Sequence, residues 1–452
     1  MSEVKSSGFT EGKIYSPLIR FALPVLFAVL LQSLYGAVDL LVVGQFSDKA
    51  NVSAVATASQ IVQTLTFVIT DIAMGTTILL GQMIGEGKRD QAGEVVGASI
   101  AMFAVIGLTV AVVMQFLAGG IASAMNAPQE AYVQTVAYTR ICCGGAIFIV
   151  AYNVLGSIFR GIGNSKVPLI AVAIAAVFNV FGDILFVAGF HMGAAGAAYA
   201  TVMSQALSVI LSFFIIRKMG LPFAFHFKMV RFNGNLIRKV ISLGIPIALQ
   251  DLLVSISFLI IMSIVNGIGV VASAGVGVAE RLCGFIMLVP SAFMQSMSAF
   301  VAQNYGAGKL DRAIRALFYG IGTSLACGIV LGYLAFFHGD SMSMVFSKDM
   351  QVVAASADYL KAYAIDCLFT AFLFCFIGFF NGIGKTRFVM VQGIVGAFCV
   401  RVPVSFFMSR IVPVSLFRIG LATPCSTFLQ IVLCFIFLLH LHRKGIFQRR
   451  QM

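Results

Sequence analysis

Asn179 and Asp183 stand four residues apart inside the otherwise apolar run 177–186. A helix puts residues at that spacing on one face, so an amide and a carboxylate would point the same way. A second carboxylate, Asp39, lies in another mostly apolar run, 34–46. A carboxylate placed in hydrocarbon costs roughly 2.5–3.5 kcal/mol on insertion scales unless it faces protein or water. Two carboxylates sharing a desolvated pocket resist ionising together, and their oxygens are the ligands that hard cations prefer. The chemistry on offer is reversible binding of H⁺ or Na⁺, and the residues suit either. The plainer alternative is that Asn179 and Asp183 only hydrogen-bond between helices.

Other polar groups interrupt apolar runs. Asp71 sits toward the middle of one; it suits a polar cavity or an interhelical contact. Asp251 follows Pro246 by little more than a turn, and Asp366 follows Tyr363. Either acid could attract a cationic substrate into a cavity. Glu280 and Arg281 are read as a locally satisfied pair. Arg401, just before Pro403, is a contact for an anionic group or a partner for an acid. Among 42 phenylalanines, Phe369, Phe372, Phe376 and Phe380 fall near one helical stripe. Such a stripe is usually core or lipid-facing. A cavity lined by Phe369, Met287, Met294, Met297 and an acid would hold planar organic cations by cation–π attraction and apolar burial.

Several functions lack their signatures. The five histidines show no HExxH spacing, no GxxxxGK[ST] loop occurs, and no nucleophile stands beside a base. The chain is therefore read as neither an enzyme nor an ATP-driven pump. The nine cysteines form no CxxC pair and read as small apolar residues. No cofactor is expected beyond the coupling ion, Na⁺ or H⁺.

The elements that must position these groups follow from composition. Of 452 residues, 60% are hydrophobic and 10% charged, with a mean hydropathy of +1.00. A soluble domain carries about 25% charged residues, so the chain is read as an all-α integral membrane protein. About twelve spans of roughly 20–30 residues are expected: 15–46, 51–81, 93–118, 131–158, 167–190, 193–217, 236–267, 270–302, 313–337, 353–381, 388–411 and 417–440. Residues 1–13 are polar and resemble no cleavable leader. The formal charge of +13 does not call for nucleic acid. With both termini inside, 22 of the 30 Lys and Arg fall on the cytoplasmic side, as the positive-inside rule requires.

The chain repeats itself. Gly81-Gln-Met-Ile-Gly-Glu-Gly-Lys-Arg-Asp-Gln-Ala92 recurs as Ala302-Gln-Asn-Tyr-Gly-Ala-Gly-Lys-Leu-Asp-Arg-Ala313. Phe159-Arg-Gly-Ile-Gly-Asn-Ser-Lys166 recurs as Phe380-Asn-Gly-Ile-Gly-Lys-Thr-Arg387, and Leu23-Pro24 as Ile245-Pro246. Six spans per half make the repeats parallel. The expected division is an N-terminal six-helix lobe (1–217), a basic cytoplasmic linker (218–235) and a C-terminal six-helix lobe (236–452).

Six-plus-six spans, a proline in the first span of each half and the paired loop motifs resemble the MATE (multidrug and toxic compound extrusion) family over about residues 15–440. The resemblance implies a V-shaped pair of pseudo-symmetric six-helix bundles and, with the short loops, a bacterial cytoplasmic (inner) membrane location; a monomer in lipid is expected. It implies a buried cation site at Asp39, Asn179, Asp183 and Thr201, with Pro24 as the bend in the first span. Gln32, Tyr35 and Tyr138 would line the N-terminal cavity. One branch of the family carries acids in spans 7 and 10; here those positions fall near Val254 and Thr370, with Asp251 and Asp366 about a turn earlier. The implied activity is export of organic cations, amphipathic drugs or metabolites in exchange for Na⁺ or H⁺. The rival readings are a flippase for lipid-linked precursors, which would want a strongly basic cavity, and a channel or passive receptor.

Overall fold

A computed structural model of the chain describes residues 9–444. It is a helical membrane protein. Among the described residues, eleven stretches are long and apolar enough to cross a bilayer, and a bent helix pair makes a twelfth. The first half holds α1 (Tyr15–Phe46), α2 (Lys49–Gly85), α3 (Arg89–Ala124), α4 (Gln129–Gly144), α5 (Ala146–Ile162), α6 (Lys166–Asp183) and α7 (Gly193–Met219). The second holds α8 (Gly234–Asn266), α9 (Val270–Ile286), α10 (Leu288–Gly306), α11 (Leu310–Phe337), α12 (Gly339–Met344), α13 (Met350–Gly382), α14 (Thr386–Ile394), α15 (Val402–Ser409), α16 (Leu416–Gly420) and α17 (Ala422–Arg443). Helices suit the setting because each pairs its own backbone donors and acceptors where no water can.

The span expected over 131–158 is two helices, α4 and α5, bent by 51° at Gly145. The fifth span of each half loosens into a π-helical turn: Ile184–Gly189 after α6, and Val395–Arg401 between α14 and α15. The repeated loops owe their glycines to backbone geometry. Gly87 and its repeat Gly308 have φ of 73° and 71°, and Gly163 and its repeat Gly384 have 88° and 77°. A side chain at these left-handed positions is strained. The start of α2 is fixed differently. The Asp48 carboxylate accepts from the backbone N–H of Asn51 at 2.8 Å and from its side-chain amide at 2.9 Å. Those bonds hold its carboxyl below the usual carboxylate range.

The chain forms two compact units. One is Leu23–Ile245; the other combines Phe9–Ala22 with Pro246 onward. The cuts fall inside α1 and α8, beside Pro24 and at Pro246, so each unit includes the leading turns of the other half's first helix. In the first unit, Phe223 and Val240 from the segment leading into α8 are buried in one apolar cluster with Leu80, Val95, Phe103 and Val154. In the second, Phe9 is buried against the rings of Phe21 (5.1 Å) and Phe300 (4.9 Å). Arg312 holds the strand of chain before α1. Its guanidinium donates to the carbonyls of Phe9, Glu11, Gly12 and Lys13 at 2.6–2.9 Å. The corresponding residue of the first half is Gln91, which could not make four such bonds. Arg312→Ala is therefore expected to destabilise the second unit by about 1–3 kcal/mol. Thermal melting in detergent reads this; an unchanged midpoint would mean that the segment is held by Phe9 alone.

Candidate functional site

Four helices of the first unit converge on Asp39. α1 supplies Asp39 itself, α4 Tyr138, α6 Asn179 and Asp183, and α7 Thr201. Asp39, Asn179 and Asp183 are 2%, 1% and 0% exposed. Thr201 Oγ1 donates to Asp39 Oδ2 at 3.1 Å, and Tyr138 Oη donates to the same oxygen at 3.4 Å. Asp183 and Asn179 face Asp39 within side-chain hydrogen-bonding reach. Beyond that approach, Asp39 Oδ1, both Asp183 oxygens and both polar atoms of Asn179 have no partner. Each buried polar atom left so costs about 1–3 kcal/mol, and more when charged.

Local sequence explains how the cluster closes. Asn179 and Asp183 share a face of α6, as their spacing predicts. Gly182 beside Asp183 lets α7 come close: a Cβ there would lie 3.0 Å from that of Ala200, the neighbour of Thr201. The π-helical turn starts at Ile184, directly after Asp183, and such turns concentrate at functional sites.

The cluster's chemistry is that of a hard monovalent cation or of protons. It offers two carboxylates, an amide oxygen, a hydroxyl and a phenol, all oxygen donors. No group of three or more His, Cys, Asp or Glu that could hold a metal occurs among the described residues. Two acids with neutral oxygens match a singly charged ion better than a transition metal.

The remaining predicted site residues scatter. Tyr138, expected on a cavity wall, is buried with its hydroxyl on Asp39. Gln32 is half-buried, and its side-chain amide donates to Tyr152 Oη at 3.0 Å. Tyr35 Oη donates to the Val172 carbonyl at 2.9 Å. Tyr152 went unnoticed in the sequence because a tyrosine in an apolar run carries no positional signal. Asp71 is half-buried in α2. Pro24 lies within α1, four turns before Asp39.

In the second unit the two candidate acids have opposite surroundings. Asp251 exposes its side chain although protein surrounds it densely, which is how the wall of a cavity looks. Asp366 is buried within reach of the Thr427 hydroxyl and near Arg401. Phe369 is half-buried against Phe428 at 5.8 Å. Met287 and Met294 are half-buried and Met297 is buried. Phe376 and Phe380 are fully buried among Phe388, Phe435 and Phe437, so this end of the stripe is core. Glu280 and Arg281 do not form the expected pair. Arg281 is exposed while Glu280 Oε1 is buried without a partner; neighbours on a helix point about 100° apart and cannot face each other.

A model of the MatE family matches residues 24–185 and again 246–407. The chain is 25% identical over 407 residues to the probable multidrug resistance protein YpnP of Bacillus subtilis, covering 90% of this chain and 91% of that one. It is 23% identical over 417 residues to the multidrug export protein MepA of Staphylococcus aureus, covering 89% of each. Its fold matches that of a multidrug resistance MATE family transporter of the MOP superfamily in an outward-facing conformation, with a TM-score of 0.91 at 18% identity over 99% of this chain and all of that one. A MOP superfamily transporter from Pyrococcus furiosus, described as having a binding pocket of reverse polarity, matches with a TM-score of 0.90 at 18% identity over 97% and 98%.

Proposed function

The chain belongs to the MATE family of multi-pass membrane transporters, and on that premise we propose that it exports organic cations or amphipathic compounds in exchange for Na⁺ or H⁺. The observation that carries this reading is the Asp39–Asp183 pair. Two carboxylates with unpartnered oxygens are held on α1 and α6, within two apolar spans. Such a pair is costly to keep unless an ion or proton visits it.

The exchange follows from what each group binds. The coupling ion meets Asp39, Asp183, Asn179 and Thr201 and relieves their unpartnered oxygens. A cationic substrate meets the exposed carboxylate of Asp251 on α8 and, from other helices of the second unit, the half-buried side chains of Phe369, Met287 and Met294. Asp366 is buried and takes no direct part in that contact. Exchange requires the ion and the substrate to favour different conformations, since a ligand with equal affinity for both shifts nothing. Pro24 removes one backbone donor within α1, and a helix bends most readily at such a point. The setting is a bacterial cytoplasmic membrane, with both termini on the basic, cytoplasmic side.

The test is efflux of a fluorescent organic cation from proteoliposomes under a Na⁺ gradient or a pH gradient, each imposed alone. Export driven by one of them and not the other is expected and names the ion. Downhill leakage insensitive to both gradients would overturn the antiport reading.

A further inference from the structure

The second half departs from the first at the place corresponding to the ion cluster. The two matched stretches start at 24 and 246 and end at 185 and 407, 222 residues apart at both ends; the loops before α6 and α14 are offset by 221, and the one further residue is taken up in the π-helical turn that ends at Arg401. That offset carries Asp39, Asn179, Asp183 and Thr201 onto Ile261, Arg401, Ser405 and Thr423. Helix packing supports the same register. In the first half Gly182 abuts Ala200 across α6 and α7; in the second Gly396 abuts Gln430 across the π-helical turn and α17. Shifted by 222, Gly396 and Gln430 fall on Ile174 and Ser208, which lie in the same antiparallel register as Gly182 and Ala200. Arg401 and Ser405 therefore flank Thr423 as Asn179 and Asp183 flank Thr201.

The second cluster is as dry as the first. Arg401, Ser405 and Thr423 are 5%, 0% and 2% exposed. Arg401 Nη1 donates to Ser257 Oγ at 3.1 Å, and its guanidinium lies 4.3 Å from the ring centre of Phe258. Arg401 Nε, Ser405 Oγ and Thr423 Oγ1 are buried without a partner. The groups facing this charge come from α13 and, through Tyr359, from α9: Asp366, Tyr359 and Tyr363 act on Arg401 directly, and Glu280 faces Tyr359. Asp366 Oδ1 and Glu280 Oε1 are unpartnered. A cation is thus fixed at the second half's counterpart of the first half's acid pair, and Asp366 on α13 is the acid that faces it.

We propose that Arg401 is a tethered internal cation that stands permanently in the second half's counterpart of the ion site, faced by the buried acid Asp366. It follows, resting on the antiport reading above, that coupling ions pass through the first half alone. Arg401 is then a positioning residue: its charge keeps Asp366 from competing for the mobile ion. A guanidinium on a chain differs from free Na⁺ or H⁺ because it cannot leave, and its planar face stacks on Phe258 in a way a Lys ammonium would not reproduce.

Chemical rescue tests this. Arg401→Ala removes the guanidinium and leaves a hole of its shape facing Asp366. Export by Arg401→Ala should fall at least about tenfold, a loss equal to one uncompensated buried charge. Millimolar guanidinium should restore it, and urea, neutral and of nearly the same shape, should not. A second readout needs no transport. Guanidinium should raise the melting midpoint of detergent-solubilised Arg401→Ala by about 2–4 °C while leaving wild type unmoved. Should Arg401→Ala fail to fold, the double substitution Arg401→Gln with Asp366→Asn removes the cation together with the acid that faces it and is expected to fold, with a melting midpoint within about 4 °C of wild type. Equal effects of urea and guanidinium, wild-type export by Arg401→Ala without rescue, or collapse of the charge-balanced double variant would overturn the proposal. Selective guanidinium stabilisation in a protein that shows no ion-driven export would instead uphold the tethered cation and sink the antiport reading.

Discussion

Asp39→Asn and Asp183→Asn are each expected to reduce gradient-driven export to the background leak without weakening the fold. The loss follows because an amide neither gives up a proton at physiological pH nor offers a charge to a cation. Coupling between two ligands is commonly about 1–3 kcal/mol, which is about 5–150-fold, and removing one carboxylate removes the term from which that coupling is built. The effect on stability has the opposite sign from most buried polar substitutions. Outside the acid pair both Asp183 oxygens are buried without a partner, and an amide at 183 can still donate to Asp39 while carrying no charge to repel it. The melting midpoint of Asp183→Asn should match or exceed that of wild type. Asp39→Asn should be close to neutral, because its amide oxygen can still accept from Thr201 and Tyr138, which now meet at Oδ2. Efflux in proteoliposomes and melting in detergent measure the two halves of this prediction. Wild-type export by either variant would remove the pair from the mechanism. A large fall in melting midpoint would instead mean that the acids hold the helices together.

Periodicity made much of this legible from sequence. The spacing of Asn179 and Asp183 placed them on one face of α6, and the apolar run around Asp39 marked the partner. Repeated glycines announced the left-handed turns at Gly87 and Gly308. What stayed hidden depends on which side of a span a residue faces. Asp251 and Asp366 look alike as single acids in apolar runs, yet one is exposed and the other buried; a uniformly apolar helix gives no moment to tell its faces apart. The break at Gly145 was invisible because window hydropathy does not register direction. The exchange of leading segments between units is a long-range pairing, carried by Arg312 and Phe9 some 300 residues apart, and no local pattern encodes it. The pair Glu280–Arg281 failed for a geometric reason that helix periodicity does supply: adjacency in sequence is divergence on a helix.

Gly244→Ala is expected to destabilise the protein by about 1–3 kcal/mol or more, although it adds a single methyl group. Gly244 in α8 lies against Ile72 in α2. A Cβ at 244 would collide with the carbonyl oxygen of Ile72 and lie 2.8 Å from its Cα. From the other side, a Cβ at Gly75 would collide with the carbonyl oxygen of Val240 and lie 3.0 Å from the Gly244 nitrogen. These obstacles are backbone atoms, which cannot rotate aside, so the helices must part. Small residues at such crossings let backbones approach and pack where lipid removes the usual hydrophobic drive. A control separates this from the effect of glycine itself. Gly322→Ala in α11 places its Cβ with nothing within 4 Å and should be neutral or mildly stabilising, by up to about 1 kcal/mol. Melting of the two variants decides: Gly244→Ala at or above the wild-type midpoint would show that α2 and α8 are free to separate there. Combining it with Gly75→Ala sharpens the point. Once the first methyl has forced the helices apart, the second meets a gap already opened, so the double variant should lose less than the sum of the two singles. Strict additivity would mean that the two collisions are relieved independently, by local bending of each helix, and that the leading half of α8 is not held to α2 as one rigid contact.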